Sequence, residues 1–204
     1  ARLHAAADLW HPAEALLWPW AARRLPASTA AAAAPKPEAL SEWRKHCAEL
    51  LREPSPFASV PQLTACARDA LQACGLRRVM LLLADRSHSR LLTQQMAGLP
   101  KEAQGLSLDP SQSQVLRRLL AQPMQLRLTP ANMAQYSALL PGTLKALFPS
   151  EHLLLRSLAS NGRVVMLLLV DQDGAPFAEI NLLAFGKTVQ CIERALGSFA
   201  RRGR

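Results

Sequence analysis

The sequence predicts an α+β domain from about residue 57 onward, with one antiparallel sheet, helices packed on it and a helical segment before it. Two apolar runs of strand length, 152–158 and 163–170, are joined by a turn that ends in Asn161-Gly162. Asn-Gly favours the positive φ angles of a tight hairpin. A long segment with helical periodicity (179–200) follows this hairpin, and another helix with two strands precedes it. Helices at both ends of a run of strands are typical of an α+β fold.

The first 55 residues differ in composition from the rest, because all four tryptophans lie within the first 43 residues. Segment 2–25 is predicted to be helical with an interruption at Pro19, and the Ala/Pro-rich stretch 26–37 is predicted to be a linker. Segment 38–52 is again helical, with apolar residues at steps of three and four. We therefore divide the chain into a helical segment with linker (1–55) and a domain (56–204).

The domain opens with a predicted helix over 59–74. Ser59 and Gln62 have the spacing of a capping box at its start, and Gly75 is placed to end it. Strands follow at 79–84 and 90–96.

A second helix is predicted to open at Asp109-Pro110, where Asp suits the N-cap and Pro the first turn. A short strand follows at 124–128. Segment 130–149 contains three prolines and is predicted to be irregular or weakly helical.

Composition excludes several classes of protein. No run of about 18 uncharged apolar residues is present, so no membrane span is predicted. The net charge is +9, and 17 of the 24 basic but only 9 of the 15 acidic residues follow residue 55. These arginines are scattered and lack interleaved aromatic residues, so nucleic-acid binding is not favoured. The four cysteines lack zinc-site spacing and suit a reducing compartment, so we expect a cytoplasmic protein without a metal site.

No pattern for catalysis or for a cofactor is found. The sequence contains no Gly-rich phosphate loop and no Gly-x-Ser-x-Gly element, and the five histidines are far apart. Asp171 and Asp173 share a turn, which offers too few oxygens for a calcium loop. We therefore expect neither an enzyme nor a bound cofactor.

The order of elements and the sequence from Glu151 to Leu196 resemble those of a GAF domain, and the resemblance covers about residues 57–200. The matching parts are the strand at 152–158, the Asn161-Gly162 turn, the strand at 163–171, Pro176-Phe177 and the long final helix. The resemblance implies a GAF-type sheet and a regulatory or sensory role. The Asn-Lys-Phe-Asp-Glu set of its cyclic-nucleotide members is not found. No cysteine for bilin attachment lies in the expected pocket segments, 104–150.

Trp10-His11-Pro12 and the helices around it are similar to the tail that follows an HDOD domain, an HD-related helical output module. Bacterial proteins in which HDOD precedes GAF are known. The resemblance implies that this chain, which starts without Met, is the C-terminal part of a longer bacterial signalling protein.

In a GAF fold, helices and loops over one sheet face form the ligand pocket. The resemblance places the pocket in segment 104–150 and the strands it faces, with Tyr136, Arg127, Gln135 and Asn132 as candidate polar anchors. A filled core without a ligand is the alternative. The predicted pocket residues are Leu116, Leu120, Met124, Arg127, Met133, Tyr136, Leu155, Met166 and Leu168.

The C-terminal helix carries apolar residues at alternating steps of three and four, which predicts a seam for a partner helix. A helix of 22 residues spans about 33 Å and a six-residue strand about 20 Å, so its last turns would overhang the sheet. We expect homodimerisation through this seam. The alternative is that the helix at 38–52 of the same chain covers the seam in place of a partner helix. The seam residues are Leu182, Phe185, Val189, Ile192, Leu196 and Phe199.

The sequence therefore predicts a GAF-like regulatory module that binds a small effector or dimerises, and that relays a change of helix packing to a neighbouring signalling domain. The alternative is a ligand-free scaffold or protein-interaction domain, with nucleic-acid binding less favoured. A cavity above about 300 Å³ would favour effector binding, and a packed interior would favour the scaffold.

Overall fold

The computed structural model describes residues 37–202 of the chain. The predicted helices at 2–25, the linker up to residue 36 and the HDOD-like segment lie outside the described residues. Within them, the helices are α1 (Pro37–Leu50), α2 (Val60–Ala73), α3 (Gln114–Ala121), α4 (Pro130–Ser137), α5 (Gly142–Leu147) and α6 (Glu179–Arg202). The strands are β1 (Arg78–Ala84), β2 (Leu91–Ala97), β3 (Ser107–Leu108), β4 (Gln125–Leu128), β5 (Leu153–Ser160) and β6 (Arg163–Asp171).

The six strands form one antiparallel sheet in the order β3-β2-β1-β6-β5-β4. The strands with the longest apolar runs, β1, β5 and β6, lie at its centre. Their side chains are buried on both sides of the sheet because successive residues of a strand point to opposite faces. The predicted α+β fold is confirmed.

The two sheet faces carry separate cores. Face A, which includes Leu81 and Met166, packs against α1, α2 and α6. Face B, which includes Met80 and Leu167, packs against α3 and is covered further by α4 and α5. The three long helices thus share face A, while face B is covered by helices of six to eight residues.

The hairpin between β5 and β6 has the predicted turn. Asn161 and Gly162 have φ angles of 53° and 78°, both in the left-handed region. The end of α2 is also as predicted: Gly75 follows the last turn with a φ of 96°. A Cβ at Gly75 would lie 2.5 Å from the side-chain nitrogen of Asn181, which donates to the Cys74 carbonyl at 2.8 Å. This glycine therefore also allows α2 to end against α6.

The start of α2 after Ser59 is confirmed but lacks the predicted capping bond, and the predicted helix start at Asp109-Pro110 needs correction. The Ser59 side chain makes no capping bond, and Gln62 Oε1 instead accepts from the Ala58 amide at 2.9 Å. Asp109 caps only a short 3-10 turn, and α3 begins after Ser113, whose hydroxyl accepts from the Leu116 amide at 3.3 Å.

Segment 130–149, predicted to be irregular or weakly helical, holds two short helices. Asn132 Oδ1 accepts from the Thr129 amide at 2.8 Å, so α4 has a cap of its own.

Helix α1 lies before the predicted boundary at residue 55, yet its apolar side belongs to the core on face A. Cys47 and Leu50 are buried there, and Trp43 packs against the same cluster. None of the helices within residues 37–202 is long and apolar enough to cross a membrane.

Candidate functional site

Six of the predicted pocket residues come together on face B. Leu116, Leu120 and Leu155 are buried in its core, and Met124, Met133 and Tyr136 pack against that core. The helices and strands of the GAF-like pattern therefore converge as predicted at these six positions.

The other three predicted pocket residues lie elsewhere, and their assignment is corrected. Met166 and Leu168 belong to the core on face A, because Leu167 and Leu169 are the β6 residues that point to face B. Arg127 alternates along β4 with apolar residues that face the core, and its own side chain is exposed.

The remaining polar anchors serve local structure or solvent. The Asn132 amide group bonds to the Thr129 amide and to the Arg127 carbonyl at 3.0 Å, and Gln135 is exposed.

The interior of face B is filled. A cavity of about 40 Å³ lies between α3, β4 and α4, beside Tyr136 and Met124. A second cavity of about 190 Å³ lies beside Met133, Leu144 and Phe148. Pockets for small molecules usually have at least about 300 Å³. Neither cavity reaches that size, so the predicted pocket on face B is a packed core with small gaps.

A much larger polar groove, of about 950 Å³, opens at one end of the sheet, between the β1–β2 turn, β3 and α3. Sequence analysis did not identify it, because its residues come from three separate segments, 88–90, 107–111 and 117–121. Among residues 37–202, neither Arg90 nor Arg117 takes part in an ion pair. The charged and hydroxyl-bearing side chains that line it are His88, Ser89, Arg90, Ser107, Asp109, Ser111 and Arg117.

Hydrogen bonds fix the wall of this polar groove that the β1–β2 turn forms. The Ser89 amide donates to Asp85 Oδ1 at 2.7 Å, and the hydroxyls of Ser87 and Ser89 donate to Oδ2 at 2.9 and 2.7 Å. These bonds, the Ser89 hydroxyl first, lower the pKa of Asp85 to about 2. The His88 Nε2 atom lies 2.9 Å from the Val164 carbonyl oxygen, which ties the turn to β6.

The predicted seam of α6 is covered within the chain. Phe185, Val189, Ile192 and Leu196 are buried in the core on face A, and Leu182 and Phe199 pack against it. The prediction that the last turns overhang is wrong, since Leu196 is only 6 % exposed. The prediction compared α6 with the length of a strand only. Helices α1 and α2 also pack against α6 and add to the apolar surface that covers it.

The adjacent stripe of α6 faces α1. Trp43 Nε1 donates to Thr188 Oγ1 at 2.8 Å, and that hydroxyl donates to the Ala184 carbonyl at 2.8 Å. Between the two helices runs an interhelix groove of about 510 Å³, lined in part by Cys47, Cys191 and Arg194. The helix at 38–52, the competing cover in the sequence analysis, is the element found there.

Within the described residues, no three His, Cys, Asp or Glu side chains are arranged to hold a metal ion. Four of the arginines that follow residue 55 form ion pairs among the described residues, and two of these arginines lie in strands of the sheet. Arg78 Nε lies 3.2 Å from Asp171 Oδ1, and Arg156 Nη2 lies 3.9 Å from Glu193 Oε1. These guanidinium groups therefore serve the fold.

No protein-family model and no curated protein matches the chain. Solved structures match with probability 1.00. Residues 122 to 287 of a methyl-accepting chemotaxis protein align with a TM-score of 0.62 at 13% identity, over 80% of this chain and 97% of that one. The GAF domain of an Acinetobacter phosphoenolpyruvate-protein phosphotransferase gives 0.57 at 19%, over 82% and 96%. The free methionine-R-sulfoxide reductase of Neisseria meningitidis gives 0.57 at 15%, over 83% and 95%.

Further matches include GAF domains from cyanobacterial phytochromes. Their sheets and flanking helices agree with the architecture described above, at identities that establish the fold alone. The chain has the fold of a GAF domain.

Proposed function

We propose that this chain is a regulatory module of a signal-transduction protein and that it relays a change of state through the packing of α1 against α6. The observation that carries the proposal is that these two helices lie side by side, in parallel, on one sheet face. Trp43 contacts Thr188, and farther along both segments Glu53 Oε1 lies 3.3 Å from Arg201 Nη2. Trp43 lies in α1 and Glu53 in the loop that follows it, so the contacts advance in the same direction along this segment and along α6.

The contact between the helices is specific as well as apolar. Thr188 is fully buried, and Trp43 is the donor to its hydroxyl. Sliding would break the bond from Trp43 while Thr188 keeps its bond to the Ala184 carbonyl. Loss of one such hydrogen bond costs about 0.5–1.5 kcal/mol, so the helices resist small shifts past each other. Packed interfaces of this kind switch between discrete arrangements rather than deform continuously.

The solved neighbours support this role. They include domains from a chemotaxis protein, a phosphotransferase and phytochromes, which are signalling or regulatory contexts. A homodimer or an adjacent domain would receive the change of helix packing. Because the seam of α6 is buried within the chain, a dimer would have to use another surface.

An effector, if the module has one, has room in the polar groove rather than on face B. The guanidiniums of Arg90 and Arg117, which form no ion pair among residues 37–202, outnumber the single carboxylate of the groove, Asp109, and together with the nearby hydroxyls favour a small anion. Native mass spectrometry of protein purified from its own cells tests this, since a retained anion would be detected as added mass.

The filled core on face B favours a second candidate, a ligand-free scaffold that acts through protein contacts. Cavities of about 40 and 190 Å³ leave no room for an effector there. Protein that carries no small molecule and binds none in the polar groove would support the scaffold.

The relay is tested by hydrogen exchange in Trp43→Phe, which keeps an aromatic ring and removes the donor to Thr188. We expect faster amide exchange in both α1 and the facing turns of α6, with the exchange of β2 and β4 unchanged. Glu42→Gln, an exposed change on the same helix, is the matched control. Faster exchange in α1 alone would show that α1 detaches independently, and would contradict the relay.

A further inference from the structure

Two cysteines meet where α1 packs against α6. Cys47 and Cys191 are each 9 % exposed, belong to the core on face A and line the same interhelix groove. Their thiols are close enough that each perturbs the other's pKa. The groove around them is open to solvent, because Lys187 and Arg194 on its rim are exposed.

The helix register holds these two thiols opposite each other. Cys47 lies one turn beyond Trp43, and Cys191 lies about one turn beyond Thr188, and the Trp43–Thr188 bond aligns the parallel helices. A disulfide requires Cα atoms within about 4.4–6.8 Å. Cys191 is flanked on α6 by the buried Thr188 and Ala195, and small side chains let two helices approach closely.

The two thiols differ in acidity. A hydrogen bond with Cys47 and the nearby Arg194 charge lower the pKa of Cys191 to about 7, although burial opposes this shift. The same hydrogen bond and burial raise the pKa of Cys47. Burial raises the pKa of Cys66 to about 11 and that of Cys74 to about 12. Thiolates are the reactive form, so Cys191 is the nucleophile of the set and Cys47 the resolving thiol.

We propose that Cys47 and Cys191 form an intramolecular disulfide by exchange with a low-molecular-weight disulfide, so that the interhelix groove is a redox site that fastens α1 to α6. The chemistry stands on the geometry of these helices, and its regulatory consequence rests on the relay proposed above.

The exchange proceeds in two balanced steps. The Cys191 thiolate attacks one sulfur of the small disulfide RSSR, forms Cys191–S–S–R and releases RS⁻, which takes up a proton. The Cys47 thiol then gives its proton to solvent, and its sulfur attacks the Cys191 sulfur and displaces the second RS⁻. The second RS⁻ also takes up a proton, so the protein loses two protons and two electrons, and RSSR becomes two RSH.

The test uses the reduced full-length chain with oxidised glutathione as the probe. We expect intact mass to fall by two hydrogens, and peptide mapping to join the segments that contain Cys47 and Cys191. The oxidation rate should rise as pH rises through about 7. Thermal unfolding should shift upward, because the bond encloses the sheet within a covalent loop.

Variants assign the roles. Cys47→Ser should stop at a mixed disulfide on Cys191, Cys191→Ser should prevent both products, and Cys66→Ser is the control that should oxidise like the parent. Because Cys191 is in the core, Cys191→Ala serves as a second variant, and circular dichroism checks that each one folds.

Three results would overturn the disulfide. They are a covalent dimer on a non-reducing gel, oxidation of Cys66 or Cys74 before Cys191, and no reaction at all. Hydrogen exchange of the oxidised chain separates this proposal from the relay. A disulfide that forms without slowing exchange in α1 and α6 would contradict the relay and leave the redox site standing.

Discussion

At the residue scale, the hairpin turn depends on backbone conformation rather than on contacts. Gly162 has a φ of 78°, and a Cβ built there meets no atom within 4 Å. Any penalty for a larger residue therefore comes from the left-handed conformation itself. Such strain costs about 1–3 kcal/mol per residue, and it is greatest for β-branched side chains.

We expect Gly162→Val to lower the free energy of unfolding by about 1–3 kcal/mol. Gly162→Asn is the matched control, because Asn tolerates positive φ, and it should lie closer to the parent. Urea denaturation of the three proteins measures the effect. A Val variant as stable as the parent would show that the turn adapts without strain.

A second residue-scale prediction concerns Asp85. Hydroxyl and amide donors of the β1–β2 turn lower its pKa from 3.8 to about 2, so the folded turn favours the carboxylate. This contribution to stability is present above pH 4 or so and is lost as the pH falls through about 2. Asp85→Asn should remove that part of the pH dependence. If the free energy of unfolding changed with pH equally in parent and variant between pH 2 and 5, this prediction would be contradicted.

At the element scale, strands were more predictable than helix starts. Strands β1 and β6 carry continuous apolar runs and β5 a run broken only at Arg156 and Ser157, and burial on both faces favours such runs. Helix starts depend on which of several nearby polar side chains makes the capping bond. Asp109 and Ser113 both precede α3, and both make capping bonds; only the three-dimensional course of the chain decides which one opens the α-helix.

The division of apolar residues between the two sheet faces could be predicted from the sequence only in part. Because β6 is apolar at almost every position, its pattern does not show which residues point to which side. Met166 and Leu168 were assigned to the wrong face for this reason. The pairing of α1 with α6 was left open as well, since a second chain could supply an equivalent apolar face.

The buried seam of α6 gives an element-scale prediction. Leu196 is 6 % exposed and Leu183, on the same helix, is 62 % exposed. We expect Leu196→Ala to destabilise the chain by about 2–5 kcal/mol, as for other core leucines. Leu183→Ala is the control and should change stability by less than about 0.5 kcal/mol.

Unfolding measured at two protein concentrations distinguishes this from a dimer seam. A loss of stability in Leu196→Ala that is independent of concentration fits burial within one chain. A loss that appears only where the parent dimerises, as seen by sedimentation, would place Leu196 at an interface between chains.

At the scale of the whole molecule, the two cores differ in how they are covered. Face A is packed by α1, α2 and α6, of 14, 14 and 24 residues. Face B is covered by α3, α4 and α5, of 8, 8 and 6 residues. The sheet is common to both, so the helices of face A join distant parts of the chain, while those of face B are local covers.

We therefore expect the two faces to open with different free energies. Helix α4 contains no fully buried residue, and its cap is a local contact with Thr129. Segments with few buried contacts exchange their amide hydrogens through local opening, whereas core strands exchange only through global unfolding. The amides of α4 should thus exchange orders of magnitude faster than those of β6 and the buried turns of α6. Hydrogen-exchange mass spectrometry in the native state measures this difference, with β1 as the internal reference for global unfolding. Such a result would mean that the filled core on face B is closed by its least stable element. Equal protection of α4 and β6 would instead make both faces one cooperative unit, and would exclude local opening as a route into face B.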